Sequence, residues 1–131
     1  MKIVGYLLML VVFGCATAVA AQNMSGSVVT KEVRFAKGKH EAVVQGNAKY
    51  GMSYVYNLGA KAGQTIDVEL VGKNAELIFS LIAPPPNDDV ISSMVKTFNG
   101  DLPSNGKYMI VVVMNDENAK NVPFTLKVKI K

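Results

Sequence analysis

After residue 30, apolar and polar side chains alternate with period two in short runs separated by clusters of Gly, Asn, Asp and Pro, and helical periodicity is missing. Successive side chains on an extended strand point to opposite faces, so this pattern predicts half-buried strands packed in layers. The cleanest run sets Ile66, Val68 and Leu70 against Thr65, Asp67 and Glu69. The last run sets Phe124, Leu126, Val128 and Ile130 against Thr125, Lys127 and Lys129, whose charges would discourage pairing if this strand lay at an edge. Tyr54, Tyr56 and Leu58 share one face of another run, and Val33 and Phe35 one face of the first. A weaker run spans His40 to Gln45.

Two runs are apolar on both faces. Leu77 to Ala83 is stopped by Pro84-Pro85-Pro86, whose rings cannot donate to a ladder, and reads as an interior strand. Tyr108, Ile110, Val112 and Met114 line one face of the other, and Met109, Val111 and Val113 the opposite one. A strand of that kind is covered on both sides or lies in an interface. Between Asn87 and Asn105 the pattern is poor and loops are expected, with Met94 to Phe98 as a candidate short strand. Seven to eight strands in roughly 100 residues, linked by hairpin-length turns, predict an all-β, antiparallel two-sheet β-sandwich, with a small closed barrel as the alternative.

The start of the chain differs from the rest. Lys2 precedes the apolar stretch Ile3 to Phe13, which ends near Ala16, Ala18 and Ala20; this is the layout of a secretory signal peptide over residues 1–20, too short to span a membrane. Cleavage after Ala20 would leave a flexible leader at 21–30 and one domain at 31–131. Cys15 follows Val12-Phe13-Gly14, so lipidation of that cysteine is the alternative form of export. It is the only cysteine of the chain, so no disulfide supports the fold and the apolar core must. Without Lys2, thirteen basic side chains face ten acidic ones, spread evenly, which predicts no nucleic-acid partner.

Catalysis finds few residues to work with. His40 is the only histidine, and no Gly-x-Ser-x-Gly elbow accompanies it. With no cysteine after residue 15, cysteine nucleophiles and histidine-rich zinc sites are excluded. Asp67 and Glu69 sit on the wet face of one strand, where solvated charge explains them. The acidic segments 87–89 and 115–118 lack the spacing of a calcium loop and read as turns. The methionines are scattered and read as core filling. The expectation is a protein that is not an enzyme and carries no cofactor or metal.

Three segments carry a resemblance: Val33 to Gly38, Tyr56 to Val68 with its Ala60-Lys61-Ala62-Gly63-Gln64 turn, and Leu102 to Val112 with Asn105-Gly106-Lys107-Tyr108. In this order they resemble bacterial pre-peptidase C-terminal-like β-sandwich domains and, among those, the short signal-bearing periplasmic inhibitors of goose-type lysozyme. The resemblance implies a periplasmic protein whose loops block the peptidoglycan-binding cleft of a lysozyme. Related inhibitors carry a Ser-Gly-x-Tyr motif on such a loop; Gly106, Lys107 and Tyr108 match it, Asn105 replaces the serine, and Ser104 stands one position early. Tyr50 and Lys120 are the nearest counterparts of contact residues in neighbouring loops. Beside this stands the plainer reading that Asn105-Gly106 forms a tight turn and Tyr108 packs inward with Ile110 and Val112. An envelope module that binds glycan or protein is the alternative function, and a second copy of the chain the alternative partner.

Overall fold

The computed structural model describes residues 27–86 and 89–131, so the expected signal peptide and Cys15 lie outside the described residues. Nine strands follow in order: β1 (Ser27–Glu32), β2 (Glu41–Ala48), β3 (Met52–Ala60), β4 (Thr65–Gly72), β5 (Leu77–Ile82), β6 (Val90–Val95), β7 (Thr97–Asp101), β8 (Gly106–Met114) and β9 (Val122–Ile130). They form an all-β sandwich of a five-stranded sheet, β1-β3-β8-β5-β6, and a four-stranded sheet, β2-β9-β4-β7.

The strongest alternations become the strands that fill the core. Tyr54, Tyr56 and Leu58 of β3, Tyr108, Ile110 and Val112 of β8, and Leu77, Phe79 and Leu81 of β5 face inward from one sheet. Ile66, Val68 and Leu70 of β4 and Phe124, Leu126 and Val128 of β9 meet them from the other. The Phe124 ring stands edge-on to Tyr54 and Tyr56, with centroids 6.0 Å and 6.4 Å away, an arrangement that aligns ring edges with ring faces. Gly46 of β2 makes room for it: a Cβ there would lie 2.7 Å from the tip of the ring.

Four expectations need correction. Residues 27–30, read as leader, belong to β1, whose Val28, Val29 and Thr30 are β-branched strand formers. The five-stranded sheet is mixed, because β1 runs parallel to β3, with Ser27 opposite Met52 and Glu32 opposite Asn57. Residues 33–40 carry the chain from β1 to the other sheet; β2 returns, and β3 therefore starts at the same end as β1. Residues 90–101, expected as loops with a candidate short strand from Met94 to Phe98, form β6 in one sheet and β7 in the other, and the crossing falls inside that candidate at Lys96, whose ammonium donates to the carbonyls of Asn74 (3.0 Å) and Leu77 (2.7 Å). Finally, β9 is interior, so its lysines answer cross-strand acids: Lys129 lies opposite Glu41 and Asp67, and Lys127 opposite Glu69. They are not guarding an edge.

The doubly apolar strand β8 sits between β3 and β5, with its inward set fully buried and Met109, Val111 and Val113 half-buried on the outer face. Val55, Ile78 and Ile82 flank them there. The registers of β3 with β8 and of β8 with β5 sort the connections into two ends. One end carries Pro84, the 61–64 turn and the 102–106 loop. The other carries Tyr50, residues 73–76 and the 115–121 loop. Nine-residue strands at about 3.4 Å per residue separate the two by roughly 25–30 Å.

Candidate functional site

The loop before β8 is held from within. Tyr108 is fully buried, and its hydroxyl donates to the Ser104 carbonyl (2.6 Å) and accepts from the Ser104 amide (3.0 Å). The Ser104 hydroxyl lies 3.4 Å from the same oxygen. These bonds fold the backbone of 104–108 around the phenol, and Gly106 completes the bend at φ 138°, a conformation L side chains rarely adopt. A Cβ at Gly106 would also lie 2.8 Å from Pro84 Cβ, so only glycine lets the loop rest against the proline segment.

The same loop is stitched to the 61–64 turn. The Ala62 amide donates to Asn105 Oδ1 (2.8 Å), the Gly63 amide to the Leu102 carbonyl (2.9 Å), and the Leu102 amide to the Gln64 carbonyl (2.8 Å). Gln64 closes its own turn by accepting from the Lys61 amide at Oε1 (2.7 Å). Turn and loop therefore form one braced unit. A serine at 105, whose oxygen sits one bond nearer the backbone, would not span to Ala62; Asn105 is a brace here and Ser104 a point of attachment.

Lys107 and Lys61 are the charged side chains that this unit offers to solvent, and Lys107 is the one with an ion-pair partner. Its ammonium lies 3.1 Å from the Glu32 carboxylate of β1, across the intervening β3, and both side chains are substantially exposed. Asn57 Nδ2 donates to the other Glu32 oxygen (3.1 Å). The bond from Lys107, then that from Asn57, hold the Glu32 carboxyl below its ordinary pKa.

Tyr50 and Lys120 lie at the opposite end. Tyr50 is half exposed in the turn between β2 and β3, and Lys120 is exposed after β8. Their surroundings are built for turning: the Tyr54 hydroxyl accepts from the Lys49 amide (3.0 Å), and Asp116 accepts from Asn74 Nδ2 (3.1 Å) and the Asn118 amide (3.0 Å). Those two bonds, Asn74 first, keep the Asp116 carboxyl below its ordinary value. The structure thus brings Ser104, Asn105, Gly106, Lys107 and Tyr108 together and separates them from Tyr50 and Lys120. Sequence reasoning missed Glu32 and the role of the 61–64 turn; the Gly63-Gln64 turn was visible only as a mark of the fold.

Two sheets without a helix among the described residues, with one end drawn into a hydrogen-bonded double loop, define a β-sandwich domain. No protein-family model matches the chain, and no curated protein matches it. Among solved structures, the periplasmic inhibitor of g-type lysozyme PliG from Aeromonas hydrophila is 32% identical, with a TM-score of 0.70 over 80% of this chain and 98% of that one. PliG from Salmonella Typhimurium is 25% identical, with a TM-score of 0.61 over 79% of this chain and 98% of that one. The pre-peptidase C-terminal domain of a Bacillus anthracis collagenase shares the fold at 14% identity, with a TM-score of 0.55 over 79% of this chain and 95% of that one. The chain belongs to the PliG family of periplasmic inhibitors of g-type lysozyme.

Proposed function

We propose that this protein is a non-catalytic periplasmic inhibitor of goose-type lysozyme, blocking the peptidoglycan-binding cleft with the loop at the Pro84 end. The observation that carries the reading is the braced double loop. An exposed loop bonded to its neighbour at three main-chain amides and wrapped on a buried tyrosine loses little entropy on binding, which is how a small loop gains affinity. Family membership supports the partner. Turbidity decay of peptidoglycan by goose-type, chicken-type and invertebrate-type lysozymes, each with and without the purified protein, tests it. Slowing of the goose-type enzyme is the expected result; no slowing of it would leave an envelope module that binds glycan or another protein.

Export follows from the signal peptide read at residues 1–20, and the N-terminal sequence of the envelope form should begin at Ala21. A lipid-modified Cys15 would instead place the protein on a membrane surface. The half-buried outer row of Val55, Met109, Val111 and Val113 is where a second copy of the chain, the other partner considered, would sit. Sedimentation velocity at rising concentration checks this, with Val111→Glu expected to abolish any dimer.

A further inference from the structure

The fold does not share out the basic surplus of the chain. β1 and β2 are the edge strands on one side of the sandwich, joined by residues 33–40, while β6 and β7 are the edges on the other side and join at Lys96. The flank made by β1, the connection and β2, out to Lys49, carries five basic side chains, Lys31, Arg34, Lys37, Lys39 and Lys49, against two acidic ones, Glu32 and Glu41. Residues 50–131 hold eight of each sign. The whole positive excess beyond the expected signal peptide therefore lies on this flank.

All of these side chains are exposed. The two acids are answered from other strands, Glu32 by Lys107 at 3.1 Å and Glu41 by Lys129 at 3.6 Å, and among the described residues none of the five flank cations makes an ion pair. The cations are also held apart. Lys37 and Lys39 stand on a turn at the Pro84 end, closed by the Lys39 amide donating to the Ala36 carbonyl (2.8 Å), with Gly38 at φ 77°. Lys49 follows β2, whose eight residues span roughly 27 Å at about 3.4 Å each. Unpaired like charges on a fixed scaffold keep a positive field that reaches over a Debye length, about 10 Å at 0.1 M salt.

We infer that this flank docks on an anionic phospholipid leaflet, whether or not the protein inhibits a lysozyme. A row of cations this long outruns any single small ligand. Lipid headgroups, by contrast, move within their leaflet and gather beneath fixed cations wherever those stand, and each basic side chain near the surface adds its own share of attraction. Membership of a periplasmic family places such a leaflet within reach. The attachment is electrostatic and reversible, so it weakens as salt shortens the field.

Co-sedimentation of the purified protein with vesicles of phosphatidylcholine alone, and of phosphatidylcholine mixed with phosphatidylglycerol, tests the inference at low salt and at about 0.15 M. Binding to the phosphatidylglycerol vesicles only, weakened by salt, is the expected result. Lys37→Glu, Lys49→Glu and Lys73→Glu change the net charge equally, but Lys73 follows β4 and lies outside the flank. The first two should weaken partitioning roughly tenfold or more, since each basic charge near a leaflet is worth about fivefold. Lys73→Glu should bind as wild type does, and all three should keep the wild-type melting temperature. Equal binding to both kinds of vesicle, or to neither, overturns the anionic leaflet. An equal loss in all three variants makes net charge the cause and overturns the flank. Loss with Lys37→Glu but not with Lys49→Glu shrinks the contact to one turn and overturns docking along the flank. Stronger binding to an anionic polysaccharide at matched charge overturns the lipid in favour of a glycan.

Discussion

Removing only the hydroxyl of Tyr108 leaves the ring packed but deprives the Ser104 carbonyl of a donor and the Ser104 amide of an acceptor. Tyr108→Phe should therefore cost about 1–2 kcal/mol, the usual penalty for unpaired, partly buried groups. At roughly 4–8 °C per kcal/mol for a domain of this size, calorimetry should show a clear fall in melting temperature. An unchanged value would mean the loop holds its shape without the phenol. Lys107→Ala behaves differently, because its ion pair with Glu32 is exposed and such pairs add little stability. If the loop enters a lysozyme cleft, this variant should weaken inhibition by about 1–3 kcal/mol, the value of a hydrogen bond to a charged group, with little thermal change. The inward packing of Tyr108 was legible from its alternation with Ile110 and Val112. Its bonds to Ser104 were not, since they depend on a loop path that no periodicity encodes.

Between the elements, Glu32 and Lys107 tie the edge strand β1 to β8 over the top of β3. Because Lys107 and then Asn57 lower the Glu32 pKa in the fold, the carboxylate favours the folded state at pH values above the ordinary carboxylate range. That contribution fades as pH falls through the depressed folded value. Melting curves of wild type and Glu32→Gln should differ near neutral pH and converge in acid; a gap that persists in acid would mean the substitution acts through something other than charge. Strands with one wet and one dry face, such as β4 and β9, could be read directly from residues. The three that could not, β1, β6 and β7, are the outermost strands of their sheets or lie beside few core residues. In β6 no alternation survives, because Val90 and Met94 are exposed, Met94 takes a positive φ of 55°, and the register with β5 shifts twice. Pairing with a neighbour, not burial of a face, makes these segments extended.

For the molecule as a whole, the described residues begin and finish at opposite ends of the sandwich. Ser27 lies opposite Met52, beside Tyr50, whereas Lys131 exchanges main-chain bonds with Thr65 (3.0 Å and 3.2 Å), next to the 61–64 turn. How the protein is attached to a sensor surface therefore decides what the Pro84 end, the proposed contact, can reach. A biotin joined ahead of residue 27 points the braced loop into solution, and lysozyme captured by such a surface should respond as it does to free protein. A bulky fusion after Lys131 stands beside the loop and should depress the response. Equal responses from both orientations would put the contact on the sheets instead of the Pro84 end.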